Sequence, residues 1–201
     1  SSYTLADPIG YPLALGAIAA AVWAIETRAP RAQLTFVALA GLAALARIQY
    51  VALPLAFVVA AVVVDRRRVL RAHALPLALL TTPVAAAAML GPSRILGYYS
   101  GISNLGVGLD VARWGVNDLF LLALASGVVL VPGALVGLLH ARGRAELAFA
   151  GVAVAFAGAV LVEASLYAAD GSNRFQERYL FALLPLVPVA FGLYLKHGRP
   201  R

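Results

Sequence analysis

The 201-residue sequence has no cysteine, one methionine and three histidines. Without thiols it forms neither disulfides nor thiolate metal sites. Lysine is nearly absent, with Lys196 alone against fifteen arginines. Together with the abundance of Ala, Gly, Val and Leu, that bias points to a high-GC bacterial coding background rather than to a function. Charge is also scarce, at 12% of residues, where soluble chains carry about 25%. Hydrophobic residues make up 62% and mean hydropathy is +0.88, which excludes an ordinary soluble domain. The net charge of +7 does not make a nucleic-acid face. The arginines line no aromatic-laced surface, and the apolar runs leave no soluble domain to carry one. Heptads and fixed-period repeats are missing too. Gly106-Val107-Gly108 is too short, and follows no strand, to be a nucleotide fingerprint.

What remains is a succession of apolar runs. Crossing a hydrocarbon core of about 30 Å takes roughly 20 helical residues, and residues 8–25 supply one such run. The next, 33–64, contains Arg47 and Gln49. As a single helix it strands Arg47 near mid-membrane, at about 2.5–3.5 kcal/mol. Two short helices, 33–46 and 50–64, with Arg47-Ile48-Gln49 at their tip, avoid that cost and put the tip in a recessed cavity. Further spans are expected at 74–90, 117–139, 147–169 and 179–195, with a long Gly-rich loop over 91–116. The fold expected is all-α: one multi-pass transmembrane bundle over 1–201 with about seven spans. Because the chain opens on Ser1 with no basic segment before an apolar one, it reads as a piece of a longer chain and not as a signal peptide.

The arginines orient this bundle. Eleven cations fall on one side of the seven-span arrangement and five on the other, so the richer side is cytoplasmic by the positive-inside rule. The N-terminus is then exoplasmic and the C-terminus cytoplasmic. Merging the helix pair gives nine against six, a weaker bias. Six acids, Asp7, Asp110, Asp118, Glu163, Asp170 and Glu177, fall toward the outer half; Glu26, Asp65 and Glu146 fall inside. His73, His140 and His197 all lie in cytoplasmic turns without a motif, so an outer His metal cluster is excluded. The Arg66–Arg68 run reads as a topology anchor.

An outer polar site is therefore expected. Arg174 and Arg178 are four apart and share a face if the last helix starts early. Arginine suits bidentate phosphate contact, or else snorkels to headgroups. Glu177 either orients Arg178 or forms a surface pair. Arg47 and Gln49 line the recessed tip, or belong to a solvated turn. Asp7 either caps a helix N-terminus or meets substrate, and Glu163 either bonds a neighbouring helix or serves the site.

Three stretches, in order, resemble the C class of membrane glycosyltransferases: Asp7-Pro8-Ile9-Gly10-Tyr11-Pro12-Leu13, the short helix from Gln33-Leu34 to Arg47-Ile48-Gln49, and Gln176-Glu177-Arg178-Tyr179-Leu180 with Pro185. The resemblance implies transfer of a sugar from a polyprenyl-phosphate donor to an acceptor hydroxyl on the exoplasmic face of a bacterial plasma membrane. A carboxylate would act as base and cations would steady the leaving phosphate. Arg47, Gln49, Arg174, Glu177, Arg178 and Tyr179 are the implied substrate-binding residues. The family's principal acid lies in a first exoplasmic loop that does not precede Ser1, so Asp7 and Glu163 are the only substitutes and the chain alone is expected to be inactive. A divalent metal is left open, with no ligand cluster evident. The implied partners are the bilayer and a polyprenyl-phosphate-linked sugar, with no nucleic acid. Competing readings are a transporter or flippase-like carrier, and a non-catalytic scaffold.

Overall fold

The computed structural model describes residues 6–81, 108–169 and 177–197, with the side chains of Ala6, Asp7 and Glu177 outside that description. All regular structure among the described residues is helical. The helices are α1 (Ala6–Thr27), α2 (Pro30–Ala46), α3 (Ala52–Asp65), α4 (Val69–Ala72), α5 (74–81), α6 (Leu109–Ser126), α7 (Leu130–Leu139), α8 (Gly143–Tyr167), α9 (Glu177–Leu180) and α10 (Leu186–Lys196). Short 3-10 turns at Ile48–Val51 and Arg66–Arg68 flank α3.

Helix α1 packs along α2, α3 along α8, and α7 along α10; α8 also lies against α1 and α6. The contacts are made by small residues. Ala14, Ala17, Ala24, Ala32, Ala43 and Ala60 are all fully buried. A methyl placed on Gly151 of α8 would stand 2.8 Å from the Ala60 Cα, and one on Gly137 would stand 2.2 Å from the Ala190 carbonyl oxygen. Phe36, Phe57 and Phe156 are fully buried among them, but many large apolar side chains face outward, as at Leu45, Leu109, Val129 and Leu139, each more than 80% exposed. This distribution suits lipid. Apolar area gains little there by leaving an apolar solvent, so helices associate through close backbone approach over small residues.

Three helical stretches are long and apolar enough to cross a membrane: Pro8–Thr27, Ile48–Ala72 and Gly143–Tyr167. A fourth results if α6 and α7, which meet at 106°, count as one broken span. Helices α2 and α10 are apolar but shorter.

The tip expected at 47–49 is present. Arg47 is extended (φ −150°, ψ 126°) between α2 and the 3-10 turn that opens α3. The two legs, however, do not form a tight hairpin. They touch through Phe36 and Phe57, whose rings stack at 4.5 Å, while α2 follows α1 and α3 follows α8. Three boundaries need correction. The expected loop through 116 ends earlier, because α6 already starts at Leu109. The span over 117–139 is interrupted at 127–129, where Gly127 adopts φ +84°. The last span is interrupted over 181–185. A proline stands close after or within each interruption. In a continuous helix the rings of Pro132 and Pro185 would meet the carbonyls of Val128 and Phe181, four residues back, and neither proline donates the helical hydrogen bond.

Candidate functional site

At one end of the bundle, Arg47 brings three distant segments together. The half-buried guanidinium donates to the Tyr11 hydroxyl at 3.4 Å, and that hydroxyl donates to the Arg178 carbonyl at 3.0 Å. The same guanidinium lies 5.8 Å from the centre of the Tyr179 ring, within cation–π range. Tyr179 in turn lies 6.0 Å from Tyr167 at the end of α8. Glu163, one turn earlier on α8 and half-buried, is near enough to feel the Arg47 charge.

Local sequence sets this geometry. Gly10 lets α1 approach the tip: a methyl there would meet the Tyr50 ring at 3.1 Å and Arg47 Cδ at 3.8 Å. Tyr50 is fully buried and stacks on Phe156 of α8, which seats the tip between α1 and α8. Beside it Gln49 is also buried, and among the described residues its amide nitrogen has no hydrogen-bond partner. A buried amide donor normally finds an acceptor. The Arg178 side chain is exposed. A cavity of about 240 Å³ adjoins the site, lined by Leu121, Leu122, Ala125, Leu180, Phe181 and Leu184. Phe181 also meets Tyr11 edge-on at 6.4 Å, so the apolar cavity begins where the polar cluster stops.

A scan against protein-family models, a search of curated proteins and a search of solved structures each returned no match. The site is therefore read from its own residues.

Of the residues singled out from sequence, Arg47, Tyr179, Glu163 and the backbone of Arg178 converge, with Gln49 beside them. Asp7 lies in the first turn of α1, one turn before Tyr11, and Glu177 opens α9; the side chains of both lie outside the described residues. Arg174 also lies outside them. Among the described residues, no group of three or more His, Asp or Glu is placed to hold a metal ion.

Two polar clusters at the opposite end carry no sequence motif. Asp65, its side chain 1% exposed, accepts from Arg28, from His73 Nε2 at 2.8 Å, and from Arg144 at 3.0 Å to each oxygen. The buried Gln33 donates to the Ala72 carbonyl at 2.8 Å and lies 3.5 Å from His73 Nδ1. Donation to Nδ1 leaves the ring proton on Nε2, facing Asp65. Glu146 meets Lys196, His197 and the Arg142 backbone N–H, all at 2.7 Å, and so ties α8 to the end of α10. Periodicity gave no hint of either cluster, since the ion pairs form between residues eight to 79 apart. Asp118 of α6 was also read only as one of the outer acids. It is fully buried, and among the described residues neither carboxyl oxygen has a hydrogen-bond partner.

Proposed function

We propose that this chain is the lipid-phosphate-binding part of a membrane glycosyltransferase that uses a polyprenyl-phosphate-linked sugar on the exoplasmic face. The observation that carries the reading is an arginine-centred polar cluster seated against an apolar cavity, the arrangement an amphiphile with an anionic head requires. Arg47, the Gln49 amide and the exposed Arg178 guanidinium are all donors, and charge-assisted donors favour phosphate oxygens. Glu163, near the Arg47 charge, is the carboxylate on hand for an acceptor hydroxyl. In this reading the bundle has seven spans, and the Arg47 end faces the exoplasm while the Asp65 end faces the cytoplasm.

The test is binding of a labelled polyprenyl-phosphate sugar to the purified chain, with sugar transfer measured in a longer protein that contains it. Arg47→Ala and Gln49→Ala should weaken donor binding, Arg47→Ala by about 2–5 kcal/mol if its charge is desolvated in the complex. Arg31→Ala, at the opposite end, should not. Unchanged affinity in both Arg47→Ala and Gln49→Ala overturns the assignment. Single-cysteine labelling in this cysteine-free chain tests orientation: modification of Arg113→Cys, but not Arg68→Cys, by an impermeant reagent added outside is expected.

The 106° break between α6 and α7 favours a second reading. Carriers commonly place broken helices around their substrate. Donor-lipid movement across vesicles without sugar transfer would select the carrier.

A further inference from the structure

Between α3 and α5 the chain makes a loop that carries Arg66, Arg67, Arg68 and Arg71, all exposed. None of these side chains has a hydrogen-bond or ion-pair partner among the described residues. The carboxylate next to them, Asp65, is already committed to Arg28, His73 and Arg144, so no described carboxylate offsets the charge of the loop. Leu70 lies among these cations and is 71% exposed.

The loop is also held shut. The Asp65–His73 bond at 2.8 Å closes it across eight residues, and Gln33 holds the Ala72 carbonyl from α2 at 2.8 Å. Arg66 turns the chain at φ +47°, in the left-handed region that non-glycine side chains seldom occupy. His73 is fully buried under the loop, edge-on to Phe57 at 5.4 Å. Four guanidinium groups are thus displayed on a backbone fixed at both ends, at the end of a helix long and apolar enough to span.

We propose that this loop is a preformed receptor for the headgroup of an anionic phospholipid. The arginines meet the phosphodiester, and Leu70 enters the acyl region between them. Arginine forks suit phosphate oxygens, and a basic cluster directly beside a spanning helix is where anionic headgroups concentrate. A loop already closed gives up less conformational freedom on binding than an open one. His73 and Gln33 act as positioning residues, holding the arginines in place without touching lipid. This inference does not depend on the glycosyltransferase reading, since it concerns the opposite end of the bundle.

The test uses the full 201-residue chain in detergent, with bound lipid counted by native mass spectrometry. The probes are phosphatidylglycerol, phosphatidylcholine and inorganic phosphate. Phosphatidylglycerol should be retained and phosphatidylcholine lost. Each arginine near a headgroup plane is worth about 1 kcal/mol, or about fivefold in affinity, so R67Q should weaken phosphatidylglycerol about fivefold and R66Q/R67Q/R68Q/R71Q at least tenfold. His73→Gln, with every arginine intact, should weaken it severalfold. If that variant fails to fold, Gln33→Met, which releases the Ala72 carbonyl, takes its place with the same expectation. Equal retention of the two lipids, or full retention by the fourfold variant, overturns the site. Displacement of phosphatidylglycerol by equimolar inorganic phosphate overturns the lipid assignment in favour of a free-anion site. Undiminished binding in the positioning variants overturns the preformed loop.

Discussion

Replacing Asp65 by alanine tests what joins α2, α3 and α8 at the arginine-rich end. The carboxylate has four contacts, but they are not equal. Arg28 and Arg144 have side chains 40% and 37% exposed, so water screens both pairs and each is worth about 0–1 kcal/mol. His73 is 0% exposed, and a buried hydrogen bond to a charged group is worth about 1.5–3 kcal/mol. Asp65→Ala should therefore cost about 3 kcal/mol, most of it through a buried imidazole left without its partner. For a chain of this size that lowers Tm by about 6–12 °C. Arg144→Ala should cost about 1 kcal/mol, counting its further bond to the Ile25 carbonyl at 2.7 Å. Thermal unfolding in detergent, followed by helical circular dichroism, measures both. In the double variant Asp65→Ala/His73→Phe, the loss should shrink, since the stranded polar ring is gone. An Asp65→Ala protein within 1 kcal/mol of wild type, or no relief in the double variant, refutes the reasoning.

The packing and the buried acid give two further expectations. Gly151→Val forces a side chain against Ala60, whose Cα already lies 2.8 Å from the position of an added methyl; overpacking of this kind costs about 1–3 kcal/mol, read as a lower Tm, whereas Gly158→Val, with nothing within 4 Å, should be close to neutral. Asp118→Leu removes two buried oxygens without hydrogen-bond partners among the described residues and should raise stability by about 1–3 kcal/mol; a lower Tm instead means that the carboxyl is bonded by a group outside them.

Much of this architecture is legible in the sequence, and the legible part is the part governed by cost. Arg47 inside an apolar run is expensive at membrane depth, and that expense locates the turn between α2 and α3 to within a residue or two. Residues 147–169 carry a single charge, Glu163, and those up to Tyr167 make up most of α8. Arg47 and Tyr179, both singled out from sequence, meet through Tyr11 and the Arg178 backbone despite wide separation along the chain. Long-range polar pairs are a different matter. His73 and Asp65 are eight apart and sit in what reads as a solvated basic turn, and only tertiary packing makes the pair dry. Asp118 is hidden for the same reason, since its burial depends on how α6 meets its neighbours.

The helix breaks were legible by a rule that hydropathy does not apply. Pro54, Pro76, Pro132 and Pro188 each stand third in their helices, α3, α5, α7 and α10. In a first turn the missing N–H has no intrahelical acceptor to lose, so a proline in an apolar run marks a restart about two residues earlier. Pro12, inside α1, shows that the rule yields where a helix continues through. Whether the α6–α7 break is local in origin can be decided. Gly127→Ala penalises the φ +84° turn, and Pro132→Ala restores the bond to Val128. The pair should let residues 109–139 run straight. Spin labels at Asp110 and Leu139 would then move from about 27 Å apart, for legs of about 27 and 15 Å meeting at the observed bend, to about 45 Å for a continuous helix at 1.5 Å per residue. An unchanged distance means that α10 holds the bend from outside, through Gly137 pressed on the Ala190 carbonyl and Gly133 on Phe191. In that case Gly137→Leu, which breaks that contact, should lengthen the distance where the proline and glycine changes did not.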